Sequence, residues 1–334
     1  MLKAAVIGCG AMGKSHARVY SDISSRYGLV KLVAVVDKEI NSARMLADKF
    51  NLRSYSSHEE MFKNEKPDLV SVVTPTKTHA EIALYFIKNK VNVLVEKPIA
   101  DNSKSALRII QAAKKAGIKL MVGHIERFNP AIVELKKRLS NGEIGKIYKV
   151  DITRAGPFPP RINDVGVVMD LAVHDIDMLR FLLNSEPERI YAETERKIHS
   201  IKEDLLAAII SFKNGVVSYL NTNWLTPTKI RKLFIVGEKG MFVADFLLQD
   251  IYFYKNKDIK SVSEYTYIVN SVSEGDMTKF SIAKKEPLMA EIEHFIDSVL
   301  KNKEPNVSGK DGLRAVEIAE KLLLSAKTKN LVVL

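Results

Sequence analysis

Over its first 123 residues the chain alternates short apolar runs, rich in β-branched residues, with stretches of helical periodicity. The apolar runs lie at 2–7, 31–36, 69–73, 92–95 and 119–122. Nearly continuous apolar runs are typical of strands buried on both faces of a parallel sheet. Between them, apolar residues recur at i, i+3, i+4 and i+7; one such set is Ala80, Ala83, Leu84 and Ile87. This alternation predicts a doubly wound α/β sheet with right-handed crossovers.

The pattern changes after Gly123. The following segments predict, in order, a helix, a strand, a proline-rich loop, a second helix and a long series of strands: 130–141, 146–154, 157–160, 169–183 and 189–254. Consecutive strands joined by short turns predict an antiparallel sheet. Two amphipathic helices follow, one around 292–299 and one over 311–328, whereas 255–286 carries no clear pattern. We therefore predict an α/β domain over 1–123 and an α+β domain over 124–334.

Composition narrows the class of protein. A chain of 334 residues, 46% hydrophobic and 27% charged, has the length of about two globular domains. No apolar run approaches the roughly 18–20 residues of a membrane-spanning helix, and the first residues lack the order of regions found in a signal peptide. The single cysteine, Cys9, excludes an internal disulfide and a multi-cysteine metal site. We expect a cytoplasmic protein without a bound metal.

The charge balance leaves several partners open. The chain has 51 Lys and Arg against 40 Asp and Glu, a formal net charge of +11. Such a balance fits nucleic acid, an acidic membrane surface or small anionic ligands. Because the basic residues do not cluster in runs with interleaved aromatic residues, we expect neither nucleic acid nor a membrane as a partner.

The strongest local motif follows the first predicted strand and opens a predicted helix. It matches G-x-G-x-x-G, and the residues predicted to contact a dinucleotide are Gly8, Gly10, Ala11, Met12 and Gly13. Gly8 permits the tight turn, Gly10 lets the backbone approach a pyrophosphate, and Gly13 allows close packing of helix on strand. The helix N-terminus then offers N–H groups to the phosphates. The alternative is a plain structural turn.

An acidic residue in the expected place supports the dinucleotide interpretation. Asp37 ends the second predicted strand, 24 residues after Gly13. A carboxylate there can accept a hydrogen bond from a ribose 2′-OH and repel a 2′-phosphate. We therefore predict NAD as the cofactor. The neighbouring Lys38 weakens the exclusion of a 2′-phosphate, so NADP stays open.

A lysine follows the fourth long apolar run, in the sequence Glu96-Lys97-Pro98. Open parallel sheets bind ligands outside the carboxyl ends of their strands. Lys97 is therefore expected to point towards the place where cofactor and substrate meet, with Pro98 fixing the turn that aims it. The alternative is a solvated lysine at the end of a strand.

A third group of polar residues lies on the predicted helix 169–183. The spacings i, i+4 and i+7 place Asp170, His174 and Asp177 on one face. The apolar positions of the other face are Leu171, Met178 and Leu182. An imidazole one turn from a carboxylate is suited to acid–base chemistry, because the carboxylate fixes its tautomer and orientation. A metal site and a structural ion pair on the helix surface are the competing interpretations.

These motifs together resemble the Gfo/Idh/MocA family of NAD(P)-dependent oxidoreductases over nearly the whole chain. In order, the matching residues are 8–13, Thr74-Pro75-Thr76 with His79, Glu96-Lys97-Pro98, and Asp170, His174 and Asp177. The resemblance implies a Rossmann domain followed by a domain with a large, open-faced, mostly antiparallel sheet. It also implies further contacts with the cofactor, made by Thr74, Pro75, Thr76, His79, Glu96 and Lys97. Lys97 and His174 would act on a substrate hydroxyl, with Asp170 in support, and homodimers or homotetramers would form through the open sheet face.

Other stretches resemble the nucleotide-sugar dehydrogenases of that family. They lie at 122–130, 156–162 and 222–227. The resemblance implies a nucleotide sugar as substrate, with UDP-N-acetylglucosamine, oxidised at its 3-hydroxyl, preferred. The residues expected to contact substrate, besides His174, are Arg127, Asn129, Arg154, Arg161, Asn163 and Asn223. Arginine can grip a diphosphate with a forked pair of hydrogen bonds. Surface solvation for the arginines and local capping for the asparagines are the alternatives, and Trp224 is expected to be packed.

Two other functions stay open. A free-sugar or inositol dehydrogenase of the same family would ignore the nucleotide. An NAD-binding regulator without turnover would lack part of the catalytic set, whereas Lys97, Asp170 and His174 are all present.

The segment 164–169 is bulkier than the glycine-rich loop of many relatives, which argues against transferring the pocket of a sugar or inositol relative unchanged.

Overall fold

The computed structural model describes residues 1–159, 165–256 and 274–334. In the described chain, the first compact unit comprises Met1–Phe128, Val165 and Lys285–Glu320, and the second comprises 129–159, 166–256, 274–284 and 321–334. The domain boundary between residues 123 and 124 therefore stays a prediction.

The elements of the described chain are as follows. The strands are β1 Leu2–Ile7, β2 Val30–Val36, β3 Arg53–Tyr55, β4 Leu69–Val72, β5 Asn92–Glu96, β6 Leu120–Gly123, β7 Ile147–Pro157, β8 Pro187–Glu195, β9 Leu205–Phe212, β10 Val217–Asn223, β11 Leu225–Gly237, β12 Gly240–Asp245, β13 Asp250–Asn256, β14 Glu274–Lys279 and β15 Val332–Val333. The α-helices are α1 Ala11–Tyr27, α2 Ile40–Phe50, α3 His58–Glu65, α4 Thr76–Lys88, α5 Ser103–Ala116, α6 Pro130–Ser140, α7 Val173–Leu183, α8 Pro287–Leu300 and α9 Gly309–Thr328. A 3-10 turn covers Ile125–Phe128, and a π-helical turn covers Val168–Ala172.

The first unit is built on a parallel sheet. Among the described residues, six strands lie in the order β3-β2-β1-β4-β5-β6, and every neighbouring pair is parallel. This order is that of the dinucleotide-binding Rossmann fold, with the direction of winding reversing between β1 and β4. The five predicted strands are confirmed. The apolar pattern does not predict β3, because this three-residue edge strand is polar and has no buried side chain.

The second unit is built on a mixed sheet. Among the described residues its order is β14-β13-β12-β11-β7-β10-β9-β8-β15. The pair β7–β10 is parallel, and the remaining pairs are antiparallel. The predicted large, mostly antiparallel sheet is therefore confirmed. The stretch 255–286 carries no clear pattern in the sequence. Most of it, residues 257–273, lies outside the described residues.

One face of this sheet is buried and the other carries an apolar row. Buried and more exposed positions alternate along β9 and β10. A single register row crosses eight strands through Tyr191, Ile209, Tyr219, Asp151, Phe234, Val243, Tyr252 and Lys279. Tyr191, Ile209 and Tyr219 are 36%, 42% and 45% exposed. Strands with one solvated face normally present polar side chains there, so this row is unusually apolar.

The helix predicted over 169–183 differs from expectation in two ways. Its first residues form the π-helical turn, and α7 continues directly from it. The predicted amphipathic pattern is wrong, because the residues from Val173 to Leu179 are all buried. His174, Asp175 and Asp177 therefore lie in the interior rather than on a solvated face.

In the part of the chain that the structure describes, no helix is both long and apolar enough to cross a membrane.

Candidate active site

The predicted cofactor residues of the first unit all follow the carboxyl ends of parallel strands. The glycine motif follows β1, Asp37 follows β2, Thr74 follows β4 by two residues, and Lys97 follows β5. The strands β1 and β4 are neighbours, and the winding of the sheet reverses between them. Open α/β sheets bind their ligands at this edge and at this point of reversal.

The three glycines of the motif have different surroundings. Gly8 has φ +107°, and a Cβ there would lie 2.6 Å from the carbonyl oxygen of Val73. A Cβ on Gly13 would lie 1.9 Å from the carbonyl oxygen of Gly8. A Cβ on Gly10, by contrast, would have no heavy atom within 4 Å. Gly8 and Gly13 are therefore required by the protein itself, whereas Gly10 leaves open space beside the backbone, where a pyrophosphate could approach.

The start of α1 is suited to a phosphate group. Gly10 is its N-cap and offers no capping side chain, and its first turn, with Ala11 and Met12, has no acidic residue. The positive end of the helix dipole therefore meets no protein carboxylate in that turn. The adjacent carboxylate of Asp37 accepts hydrogen bonds from the backbone N–H of Cys9 at 2.8 Å and of Glu39 at 3.0 Å. These groups fit the phosphates and ribose of NAD.

The thiol of Cys9 has no part in this chemistry. It is buried, and burial together with the charge of Asp37 raises its pKa to about 12. A thiol with such a pKa stays protonated and unreactive at neutral pH.

The residues after β4 are tied to the turn that carries Lys97. Nε2 of His79 lies 2.8 Å from the carbonyl oxygen of Thr74, and its Nδ1 lies 2.9 Å from that of Pro98. Carbonyl oxygens only accept hydrogen bonds, so the ring makes both bonds only when both nitrogens carry a hydrogen. His79 is buried, and so is Thr76, at the start of α4 just after its N-cap, Pro75. Contact of these residues with a cofactor stays a prediction. Through its two hydrogen bonds, the ring of His79 links the loop at Thr74 to the turn at Pro98.

The backbone of Lys97 is held by the preceding residue. The Lys97 N–H donates to Oε2 of Glu96 at 3.1 Å, and Oε1 of Glu96 lies 3.2 Å from Nε2 of His16. The Lys97–Pro98 peptide bond is cis. Glu96, predicted as a cofactor residue, is 7% exposed and therefore lies among protein groups.

Two buried residues next to Glu96 belong to none of the sequence motifs. His16 lies on α1 and Glu291 on α8, and both are fully buried. His16 follows Gly13 by three residues, so a search for polar residues on the buried face of α1 would have found it. Glu291 sits in an amphipathic helix nearly 200 residues later in the chain, and the sequence has no motif that links it to β5.

In the second unit, the predicted acid–base residues lie where the π-helical turn meets α7. Asp170 lies inside the turn, and the side chain of His174 is 9% exposed. Asp177 is 1% exposed and Asp175 is fully buried. A π-helical turn inside an α-helix is frequent at functional sites.

A buried ion pair anchors this helix to the sheet. Nε of Arg154, on β7, donates to Oδ1 of Asp175 at 2.7 Å, and the two side chains are 4% and 0% exposed. The guanidinium of Arg154 thus compensates a charge in the interior. Substrate binding by Arg154 stays a prediction.

The start of the same helix is fixed by Glu203. Its carbonyl oxygen accepts the N–H of Val167 at 2.9 Å, and its side chain accepts the N–H of Val168 at 3.2 Å. A Cβ on Gly166 would lie 2.0 Å from the carboxylate of Glu203. Burial raises the pKa of Glu203. Gly166, the glycine of this bulky loop, therefore lies directly against the carboxylate of Glu203.

Most other predicted substrate residues make contacts within the fold. Arg127 donates to Oδ1 of Asp311 at 3.0 Å and to the carbonyl oxygen of Asn306 at 3.2 Å. Asn129 caps α6 through the N–H of Ala131 at 3.1 Å. Arg161 and Asn163 lie outside the described residues.

Asn223 and Trp224 also have local partners. Oδ1 of Asn223 accepts the N–H of Leu225 at 3.0 Å and the hydroxyl of Thr226 at 2.8 Å. Trp224 is 3% exposed and contacts the rings of Phe158 and His199, so its predicted packing is confirmed.

Comparison with known proteins agrees with this architecture. A family model described as "Oxidoreductase family, NAD-binding Rossmann fold" matches residues 2–124, and the model of its C-terminal alpha/beta domain matches 136–334. The chain is 28% identical to a UDP-N-acetylglucosamine 3-dehydrogenase of Acidithiobacillus ferrooxidans over 95% of each chain. It is 26% identical to a myo-inositol 2-dehydrogenase of Thermotoga maritima, over 94% of this chain and 93% of that one.

Solved structures show the same fold. The structure of the Acidithiobacillus ferrooxidans enzyme has a TM-score of 0.85 and 27% identity, covering 98% of each chain. A dehydrogenase from Bordetella pertussis, solved with NADH and UDP-GlcNAcA, has a TM-score of 0.82 and 22% identity, covering 100% of this chain and 98% of that one. At that identity the second likeness concerns the fold alone. The predicted oxidoreductase activity and NAD as cofactor are confirmed at the level of the family. The chain belongs to the Gfo/Idh/MocA oxidoreductase family, with its NAD-binding Rossmann fold and C-terminal alpha/beta domain.

Proposed function

We propose that this protein is an NAD-dependent dehydrogenase that oxidises a secondary hydroxyl of a nucleotide sugar, with the 3-hydroxyl of UDP-N-acetylglucosamine as its preferred target. The likeness to the Acidithiobacillus ferrooxidans enzyme over 95% of both chains carries the choice of substrate. The glycine motif, with Asp37 beside it and open space at Gly10, carries the choice of cofactor.

The cofactor site consists of loops after parallel strands. The N-terminus of α1 and the Gly10 backbone would hold the pyrophosphate, and Asp37 the adenosine ribose. Thr74, Pro75 and Thr76 would line the nicotinamide side, with His79 bracing them against Pro98. When bound, NAD accepts the hydride and so supplies the redox chemistry.

The residues of the chain supply proton transfer and charge stabilisation. His174 takes the proton of the substrate hydroxyl as the carbon–hydrogen bond breaks, and Asp170 stabilises the imidazolium that forms. The ammonium of Lys97 donates a hydrogen bond to the same oxygen and stabilises its developing negative charge. Oxidation of an alcohol needs a group for each of these tasks, and the chain has both.

A free-sugar or inositol dehydrogenase is the second candidate. Arg127 and Arg154, the arginines proposed for the diphosphate, both pair with acidic residues of the protein. The Thermotoga maritima relative is an inositol dehydrogenase of nearly the same identity. Both observations favour a substrate that has no diphosphate.

A substrate panel separates the two candidates. NADH absorbance is followed with UDP-N-acetylglucosamine, UDP-glucose, N-acetylglucosamine, glucose and myo-inositol, each with NAD and with NADP. We expect turnover that requires the UDP group and prefers NAD. Equal or better turnover of the sugars without UDP would replace the proposal by the second candidate, and no turnover of any hydroxyl compound would favour an NAD-binding regulator.

We also propose that the open face of the second sheet joins copies of this chain into a homodimer or homotetramer. The row through Tyr191, Ile209 and Tyr219 supports this, because large apolar side chains exposed side by side favour association. Sedimentation of the wild type should show an oligomer, and Tyr219→Lys should shift it towards the monomer, whereas Tyr148→Lys, at the start of β7, should not. A wild type that sediments as a monomer would contradict the proposal.

A further inference from the structure

A buried cluster of three titratable side chains adjoins Lys97 in the first unit. One ligand atom from each of His16, Glu96 and Glu291 lies within 4.8 Å of the other two. His16 and Glu291 are fully buried, and Glu96 is 7% exposed. The three residues come from α1, the end of β5 and α8, so the fold gathers them from distant parts of the sequence.

Glu96 is the member of the cluster that touches the turn of Lys97. Its two oxygens are engaged separately, one with the Lys97 N–H and the other with His16. A Cβ added to Gly123, at the end of β6, would lie 3.0–3.1 Å from the carboxyl group of Glu96. Because the carboxylate is confined on these sides, any shift of Glu96 would move the backbone of Lys97.

A side-chain oxygen of Glu291 lies within 4.8 Å of a side-chain oxygen of Glu96. Neither side-chain oxygen of Glu291 has a hydrogen-bond partner among the described residues. An ionised carboxylate in the interior needs donors or a compensating charge. A second negative charge next to Glu96 would also be repelled in surroundings of low dielectric constant. Geometry therefore favours a neutral Glu291.

The electrostatics of the neighbouring groups point the same way. Burial disfavours the charge of Glu96, but the hydrogen bond and charge of His16, with the charge of Lys97, lower its pKa. Burial and the charge of Glu96 raise the pKa of Glu291 well above its ordinary value. Among the described residues, His16 and Tyr20 on α1 also lie near Glu291, and the hydroxyl of Tyr20 shares a hydrogen bond with that of Ser71 at 3.0 Å. The cluster thus carries one carboxylate charge, on Glu96.

We propose that Glu291 is a positioning residue for Lys97, acting through Glu96 as a buried, neutral carboxylic acid. The proposal rests on the proposed role of Lys97. A neutral Glu291 lets Glu96 stay ionised and keep its hold on the Lys97 N–H. An ionised Glu291 would repel Glu96, favour protonation of one of the two, and loosen that hold.

Infrared spectroscopy tests the protonation without any substrate. At neutral pH the wild type should show the C=O stretch of a protonated carboxylic acid, shifted by ¹³C-glutamate. The band should be lost in Glu291→Gln and kept in Glu293→Gln, a control on the same helix. An unchanged band in Glu291→Gln, or no such band in the wild type, would overturn the proposal. A stoichiometric metal ion in the purified protein that is lost in Glu291→Gln would overturn it as well.

Kinetics test the positioning role. Glu291→Gln keeps the shape and the neutral polar group, so kcat and the KM for NAD should stay within about twofold of the wild type. Glu291→Leu is uncharged as well, so at neutral pH its kcat should also stay within about twofold, with the Kd of NADH, from its fluorescence, and the circular dichroism unchanged. As pH rises, the wild-type kcat should fall when Glu291 ionises, and both variants should lack that fall. A leucine variant impaired at neutral pH, or a fall in kcat at raised pH that Glu291→Gln retains, would contradict positioning of Lys97 through the charge state of Glu291. If the wild type turns over no substrate, the proposed function fails, while the infrared result still decides the state of Glu291.

Discussion

The cofactor loops of the first unit and the helix with His174 in the second unit are held in place by different physical effects. In the first unit, backbone geometry shapes the site: loops follow parallel strands, and steric contacts at Gly8 and Gly13 leave little choice of conformation. In the second unit, buried charge holds the helix with His174: most of its residues are buried, and Asp175 is paired with Arg154. The difference implies that substitutions in the first unit can impair cofactor binding or catalysis selectively, whereas substitutions in the second will first cost stability.

Breaking the buried ion pair should have the largest effect. Arg154→Ala leaves Asp175 as an uncompensated interior charge and should lower the free energy of unfolding by about 3–5 kcal/mol. The matched control is Lys149→Ala on the same strand, where the exposed pair with Asp151 is worth about 0–1 kcal/mol. Urea unfolding measures both. Equal, small losses of unfolding free energy in the two variants would show that the buried ion pair does not hold α7 in place.

Lys97→Ala should have the next largest effect, on catalysis alone. Loss of a donor to the developing alkoxide should lower kcat by about 10²–10³-fold. The Kd of NADH and the melting temperature should stay those of the wild type. Lys104→Ala, an exposed lysine on α5, serves as the control for loss of positive charge. Near-normal turnover by the Lys97 variant with every sugar would remove this residue from the mechanism.

Substitutions at two glycines of one motif should have separate effects, one on stability and the other on NADH binding. Gly13→Ala places a methyl group 1.9 Å from the oxygen of Gly8 and should destabilise the protein by about 1–3 kcal/mol. Gly10→Ala meets no protein atom, so it should unfold like the wild type but bind NADH about tenfold more weakly, or about 1.4 kcal/mol. Calorimetric melting and NADH titration give the two quantities. If Gly10→Ala binds NADH normally, the pyrophosphate does not approach there.

The smallest effects concern two neighbouring acids with opposite pH dependence. Burial raises the pKa of Glu203, so its contribution to stability is lost as pH rises through that raised value. Burial opposes the charge of Asp204, but backbone hydrogen bonds from His199, Ile198 and Lys197 outweigh it and lower the pKa. Its contribution is present above the ordinary pKa of aspartate and is lost as pH falls through the lowered value.

Unfolding from pH 3 to pH 8 checks the signs. Relative to the wild type, Glu203→Gln should gain stability as pH rises, whereas Asp204→Asn should be most destabilised at neutral pH and recover towards acid. Parallel pH profiles for the two variants would contradict the account of the loop that supports the helix.

The contacts of the glycine motif follow from the sequence more directly than those of α7, because the two are encoded differently. The Gly8–Gly13 motif and Asp37 are local features of a strand and its following loop, and their chemistry follows from spacing. The pairing of Arg154 with Asp175 joins a strand to a helix and has no local sequence pattern. Helical spacing placed Asp177 on a polar face, but the packing around α7 buries it.

The same limit explains the residues that sequence analysis missed. Glu291 reaches β5 only because α8 packs against α1, a contact between elements about 270 residues apart. His79 was predicted from a resemblance as a cofactor residue, whereas its two hydrogen bonds to Thr74 and Pro98 emerge only from the folded chain. Packing brings these residues together in the folded chain, and no local pattern in a single sequence predicts their contacts.

Transfer of deuterium tests the proposed reaction most directly. UDP-N-acetylglucosamine carrying deuterium at C3 is incubated with the enzyme and NAD, and the reduced cofactor is analysed by mass spectrometry. If the protein removes hydride from C3, the reduced cofactor carries the deuterium and the wild type forms it far faster than Lys97→Ala. Reduced cofactor without deuterium, or equal rates for the two proteins, would contradict the assignment.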